Sequence, residues 1–325
     1  MKNMTHLTRR TGLLTLLIAL ASPMIEAADK TPIRMIVPAS AGSGLDITLR
    51  AAVSSMTKAL DGQAIVVDNQ SGAGGITGTA NLVKATPDGL TLGFISNNHA
   101  VNPSVYKKMP FDSVNDITPI SVIGSVPFVL VVPSKLPVKT ARELQSFLKA
   151  KPGAYNYSSS GNGTIIHLAG AQFVDSADVD VKHVPYKGMA PMVNDLLGGV
   201  VEFGVIAVPV AMPHLKSGAL RALGVFGKQR VRSIPDIPSM AEQGFADVDI
   251  GGWFALVGPA KLPAAEVKRL HAAVLAAFAM PEAMDAMNKQ ENVVSPMTPE
   301  ASARFIRHEV ERYARLVQKA SVTID

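Results

Sequence analysis

The sequence predicts an α/β chain of two lobes, each a mostly parallel sheet flanked by helices. Three observations carry this. Short apolar segments alternate with amphipathic ones along most of the chain. The unit strand, Gly-rich loop, helix occurs twice, at Val37–Leu49 and at Tyr157–Leu168. Two long apolar stretches, near 120–132 and 250–258, break the alternation, and there the chain is expected to cross between lobes. Its 325 residues are enough for about two domains.

The first residues read as an export signal. Lys2, Arg9 and Arg10 precede an apolar run from Gly12 to Ala21, and small residues lead to Ala27-Ala28 before Asp29-Lys30. That is the order of a secretory signal peptide, expected over residues 1–28. The run is too short for a comfortable membrane span. Arg9-Arg10 also permits a twin-arginine route. Cleavage lowers the formal charge from +5 to +3, so the basic excess is modest. The mature chain is expected to be soluble and exported.

The elements then follow in order. Ile33–Pro38 reads as a strand, and Leu45, Leu49, Ala52, Val53, Met56 and Leu60 recur at helical spacing. Ala64–Asp68 is a second strand, a helix runs from the Gly-rich 71–78 segment to about Lys84, and Leu90–Ser96 is a third strand. Strands so separated are expected to pair in parallel through right-handed crossovers. Ile117–Ile123 and Pro127–Val132 are long strands with no helix between them. Thr140-Ala-Arg-Glu143 is a capping box that opens a helix. Strands at Tyr155–Ser160, Val179–Val184, Val200–Val208 and Leu220–Phe226 alternate with helices at Thr164–Phe173 and Pro191–Leu197. Ile250–Val257 is another long strand, and helices at Pro263–Phe278 and after Thr298-Pro299 close the chain. The expected lobes are 29–128 with 253–325, and 129–252.

Composition excludes much. Without cysteine there is no disulfide, thiolate metal site, Cys nucleophile or lipid attachment. One Trp, five Tyr and eleven Phe offer few stacking platforms, which argues against nucleic acid as a partner. The seven His lack metal spacing, and no Ser sits in G-x-S-x-G. No metal, cofactor or catalytic residue is expected. A secreted α/β hydrolase with a triad assembled in space is the alternative of a different class.

Two loops are the leading ligand candidates. The first, Ala39–Asp46, contains Ser40, Gly42, Ser43, Gly44, Leu45 and Asp46 at the carboxyl end of the first strand. Ligands of open α/β sheets bind at such ends, and free N–H groups at a helix start attract an anion. A plain strand-to-helix turn capped by Asp46 is the alternative. The second loop, Ser159-Ser160-Gly161-Asn162-Gly163-Thr164, adds hydroxyl donors, with His167 one turn on. There the alternative is a turn with a packed histidine. Asn97 and Tyr186-Lys187 also lie at strand ends, as ligand groups or as turn and rim residues. Ser71–Gly78 resembles a dinucleotide fingerprint, but Thr77 stands where its last glycine belongs, so it reads as a structural turn.

Several segments resemble the extracytoplasmic solute receptors of tripartite tricarboxylate transporters, the Bug or TctC family. They include Val66–Gly75, Pro87–Leu92, Lys151-Pro-Gly153, Ser159–Thr164, His167-Leu-Ala169, His183–Gly188, Leu197-Gly-Gly199, Pro235–Pro238 and Ala241–Gly244, in family order. The resemblance implies a periplasmic binding protein of type II, a Venus flytrap that closes on its ligand. It places a carboxylate between Ala39–Asp46 and Ser159–Thr164, with Asn97, Tyr186 and Lys187 at the pocket or rim. It implies the membrane subunits of such a transporter as partners, or a sensor kinase as the alternative. A monomer is expected. Two departures stand out: Leu45 replaces a hydroxyl residue, and Ile206 aligns where the family often carries Asp. Both favour a carboxylate with a hydrophobic or aromatic body over an amino acid.

Overall fold

The computed structural model describes residues 31–319. The expected signal peptide lies outside them. The elements in chain order are β1 (Ile33–Val37), α1 (Gly44–Ala59), β2 (Ile65–Asn69), α2 (Ile76–Leu82), β3 (Thr91–Ser96), α3 (Asn98–Val105) and β4 (Ile117–Val126). Next come β5 (Phe128–Pro133), α4 (Ala141–Lys149), β6 (Asn156–Ser159), α5 (Ile165–Ala177), β7 (Lys182–Pro185), α6 (Met189–Gly198), β8 (Phe203–Ala207), α7 (Val208–Lys216) and β9 (Leu220–Val225). The last are β10 (Gly252–Pro259), α8 (Ala264–Ala279), α9 (Pro281–Lys289), β11 (Val293–Val294) and α10 (Pro299–Lys319).

Two mixed sheets form the two lobes. One has the order β11-β4-β10-β3-β1-β2 and the other β7-β6-β8-β5-β9. β1, β2 and β3 pair in parallel, as their helical crossovers require. β4 and β10 join the same sheet antiparallel. In the second sheet β6 is parallel to β7 and β8, while β5 runs antiparallel between β8 and β9. The chain passes from sheet to sheet at Pro127, and again between Phe226 and Gly251.

The cores follow from patterning. β5, β8 and β10 are buried along their whole length, as central strands covered on both faces must be. One face of the first sheet packs on α1, α8 and α9 through Leu49, Met56, Phe254, Leu270 and Met287. The other face, under α3 and α10, belongs to an apolar cluster continuous with the core of the second lobe.

Three helices depart from the sequence reading. α3 carries Pro103 and starts from two Asn, both turn signals. α7 continues the apolar run of β8, so periodicity alone cannot divide the two. α9 begins at Pro281 directly after α8. The strands expected at 179–184 and 200–208 shift or shorten to β7 and β8.

Candidate functional site

The strand registers bring the carboxyl ends of the parallel strands to one level. Ser96, at the end of β3, pairs with Phe254, and Gly252 pairs with Val126, the residue before the first crossing. On the other side Phe128 pairs with Ala207, the last residue of β8, and β6 runs parallel to β8. The loops after β1, β3, β6 and β8 therefore all face the inter-lobe boundary. Asn98 Oδ1 accepts the Ile165 N–H at 3.1 Å and ties the start of α3 to the start of α5 across it.

Asp46 organises the first loop from beneath. It is 2% exposed and accepts from Gly42 N at 2.8 Å, Arg50 Nε at 2.9 Å and Asn69 Nδ2 at 3.0 Å. Burial alone would push its carboxyl up, but the hydrogen bonds from Arg50, Gly42 and Asn69 outweigh that and hold it below its ordinary value. Asn69 also grips Ala39 O, and Ser43 caps α1 by accepting from Asp46 N. Gly42 turns at φ +76°, a conformation that glycine adopts without cost. Ser40, Gly42 and Gly44 are exposed, Ser43 and Leu45 half-buried. Among the described residues, the Gly44 and Leu45 N–H groups have no hydrogen-bond partner.

The second loop is held from beneath by two histidines. His167 and His183 stack with ring centroids 3.7 Å apart and planes 6° apart, beside Tyr157. His167 Nδ1 accepts from Gly163 N at 3.1 Å, and His183 Nε2 lies 2.7 Å from Ser159 Oγ. Burial lowers His167 to about 3, with a further push from its neighbour, and burial lowers His183 to about 4. Both rings are therefore neutral, as acceptance of the Gly163 N–H requires. Thr164 caps α5 through His167 N, and Ser160 Oγ donates to Thr164 Oγ1. Asn162 is exposed, and its N–H and that of Ile166 are without partners among the described residues. Tyr186 N and Gly188 N donate to Ser159 O and Ser160 O, which sets Tyr186-Lys187 beside the loop. The Tyr186 hydroxyl donates to Asp195, while Lys187 stands exposed.

The structure thus sets the 186–187 turn against the second loop and places the first loop at the carboxyl end of β1 in the other lobe, with corrections. Asn97 is 1% exposed, and its amide is consumed within the protein. It donates to Gly251 O and the Tyr313 hydroxyl and accepts from Trp253 N, so it offers a ligand nothing. Ile206 is fully buried opposite Val129 and presents no wall to the cleft. The period of two explains it: the next residue, Ala207, ends the strand, and the half-exposed Pro209 and Val210 follow. That segment carries no acidic residue in either register. Asp46, Ser159 and His167 act beneath the loops rather than on their surface. Sequence reasoning missed Asn69, Arg50 and His183 as loop supports. Arg50 follows Asp46 by four residues on α1, a spacing that the sequence does carry, whereas Asn69 and His183 are revealed only by strand pairing in space.

Residues 48–322 match the family described as "Tripartite tricarboxylate transporter family receptor". The chain belongs to this family. It is 31% identical over 325 residues to Protein BugT of Bordetella pertussis, covering 99% of each chain. The periplasmic binding protein BugD has a similar structure, with a TM-score of 0.83 at 30% identity over 90% of this chain and 99% of that one. Rpa4515 of R. palustris, solved with adipate, gives a TM-score of 0.85 at 28% identity over 90% of this chain and 98% of that one. The two-lobed binding-protein fold and receptor family are thereby established, and the loops described above are this receptor's strand-end loops at the lobe boundary. No helix among the described residues is long and apolar enough to cross a membrane, and none of their His, Asp or Glu residues cluster as metal ligands.

Proposed function

We propose that this receptor works outside the cytoplasm, captures a small carboxylate between its lobes and delivers it to the membrane subunits of a tripartite transporter. One observation carries the reading. Two helix starts, at Gly44 and Ile165, lie on opposite sides of the inter-lobe boundary, and the N–H groups of Gly44 and Leu45 at the first and of Asn162 and Ile166 at the second have no partner among the described residues. Such an arrangement supplies donors and positive dipole ends to an anion without a buried cation. The relative bound to adipate supports the carboxylate class. Among the described residues the lobes are assigned as 31–127 with 252–319, and 128–251, one residue from the expected bounds at each crossing. Residues 40, 42–46, 159–164, 167, 186 and 187 form or support the site. The apolar end of β8 supports a ligand body without an ammonium group.

The mechanism is a population shift. Contacts to both lobes favour the closed form, which the membrane subunits then read. Thermal unfolding against aromatic acids, aliphatic diacids, citrate and amino acids tests the class. Ligand at about 1,000 times its dissociation constant stabilises by about 4 kcal/mol, a shift of several degrees. Selective shifts by carboxylates support the reading, and a flat panel on refolded, ligand-free protein overturns it.

A further inference from the structure

The lobe boundary has two sides. In the first sheet β11 lies on one side of β4, and β3 and β1 on the other. In the second sheet β9 lies on one side of β5, and β8 and β6 on the other. Asn98 and Ile165, which follow β3 and β6, meet across the boundary on the loop side. On the opposite side a groove of about 960 Å³ runs between β11 and the chain that follows β9. No residue of Ala39–Asp46 or Ser159–Thr164 lines it, so it is not a compartment of the ligand site.

The floor of this groove is the hinge, with Val126-Pro127 from the first crossing and Phe226 and Gly251 from the two ends of the second. Its walls belong to different lobes. Val293 stands on one wall and is fixed to the first lobe by pairing with Ser125 on β4. Gln229 and Arg232 stand on the other. Their segment is fixed to the second lobe, because Arg230 pairs with Glu242 at 3.0 Å and Met240 N donates to Val225 O of β9 at 2.8 Å. Packed lobes move as rigid bodies, so a rotation about this floor that draws the loops together parts the walls behind it. The walls also carry opposite charge. Glu291 lies on the first, exposed Lys228 and Arg232 on the second, and among the described residues no ion pair spans the groove. Attraction at that range favours a narrow groove.

We propose that this rear groove sets the balance between the open and closed forms: it widens as the cleft closes, so bulk or like charge placed in it favours closure and tightens ligand binding without touching the ligand. The proposal takes lobe closure from the receptor reading and does not depend on which ligand is bound. The chain has no cysteine, so spin labels go cleanly onto Val66→Cys of β2 and Lys182→Cys of β7. Both positions are exposed, on the strands farthest from the crossings on the loop side. Distances between the labels are measured by electron double resonance on ligand-free protein. Val293→Trp and Gln229→Trp, exposed positions on opposite walls, each shift the population toward the shorter distance and leave Tm unchanged. Leu275→Trp, exposed on α8 outside the groove, shifts nothing. Glu291→Lys acts like the two wall tryptophans at about 0.02 M ionic strength and loses its effect at about 0.5 M. Adipate, as the binding probe, binds each wall tryptophan variant about threefold tighter or more, since apparent affinity follows the population of the competent form. Distances that stay unchanged or lengthen in both wall tryptophan variants overturn the proposal. So does tighter adipate binding with unmoved distances, because that effect does not pass through the hinge. A chain that binds no carboxylate of the panel above loses the ligand reading, while the label distances still decide the role of the groove.

Discussion

His167 and His183 are the residues whose chemistry most constrains the site. Neutral in the folded protein at about 3 and about 4, they protonate near 6.5 in an unfolded chain. Fully buried His99, lowered by burial to about 4, behaves alike. The folded value is the lower one, so as pH falls through about 6.5 the unfolded state binds protons first. The contribution of these rings is constant above that point. Below it the loss reaches about 1.4 kcal/mol per pH unit for each of the buried His99 and His167, and continues toward about pH 4. Urea midpoints at pH 7.5 and 5 check this, and equal midpoints contradict the neutral assignment. The two adjacent asparagines are expected to separate. Asn97→Ala leaves Trp253 N and Gly251 O without their partner and lowers stability by roughly 2–4 kcal/mol. Asn98→Ala breaks one half-buried contact between lobes, changes stability by less than about 1 kcal/mol, and alters ligand affinity instead. Urea unfolding and titration together resolve the two.

At the scale of elements, the helix starts do double work. Thr164 caps α5 and also orders the loop before it, by donating to Gly161 O at 2.8 Å. Thr164→Ala is expected to cost about 1 kcal/mol of stability, with a further loss of carboxylate affinity, and Thr164→Ser restores most of both. If only stability changes, the loop is not part of the site. The approach of α2 to the end of β1 is equally tight. A Cβ on Gly78 would lie 2.7 Å from Gln70 O and 3.0 Å from Pro38 Cα, so Gly78→Ala must push α2 away from the first loop. A destabilisation of roughly 1–3 kcal/mol in urea unfolding is the expected result. Much of this level was legible in sequence. The Thr140–Glu143 cap, the Thr298-Pro299 start and the three parallel strands all depend on neighbours along the chain. α7 was missed because Val208 and Val210 extend the apolar run of β8, although Pro209 in its first turn is a helix-start signal that a central strand does not tolerate.

For the whole molecule, the decisive feature is that the lobes meet through two crossings. Val126-Pro127-Phe128 carries the first, and the second enters at Gly252, where a Cβ would lie 3.1 Å from both the Phe128 ring and Val126 O. Gly252→Val therefore jams one crossing against the other. The variant is expected to fold, yet its radius of gyration by small-angle scattering stays unchanged on ligand addition, whereas the wild-type value falls as the lobes close. A variant that closes like wild type refutes this role for Gly252.

The sequence by itself determined the alternation of strands and helices, the two strand–loop–helix units and the family. Those properties reside in local periodicity, turn chemistry and segment order. It also located the two loops, because Gly-rich turns after strands are local signals. The tertiary structure alone decided which residues hold the loops and which are spent on partners within the protein. Asp46 turns inward to Asn69, His183 reaches Ser159 from a different strand, and Asn97 is spent on Gly251, Trp253 and Tyr313 far along the chain. Hydrogen-bond partnership at such separations is set by strand order and register, which a linear pattern of residue types does not encode.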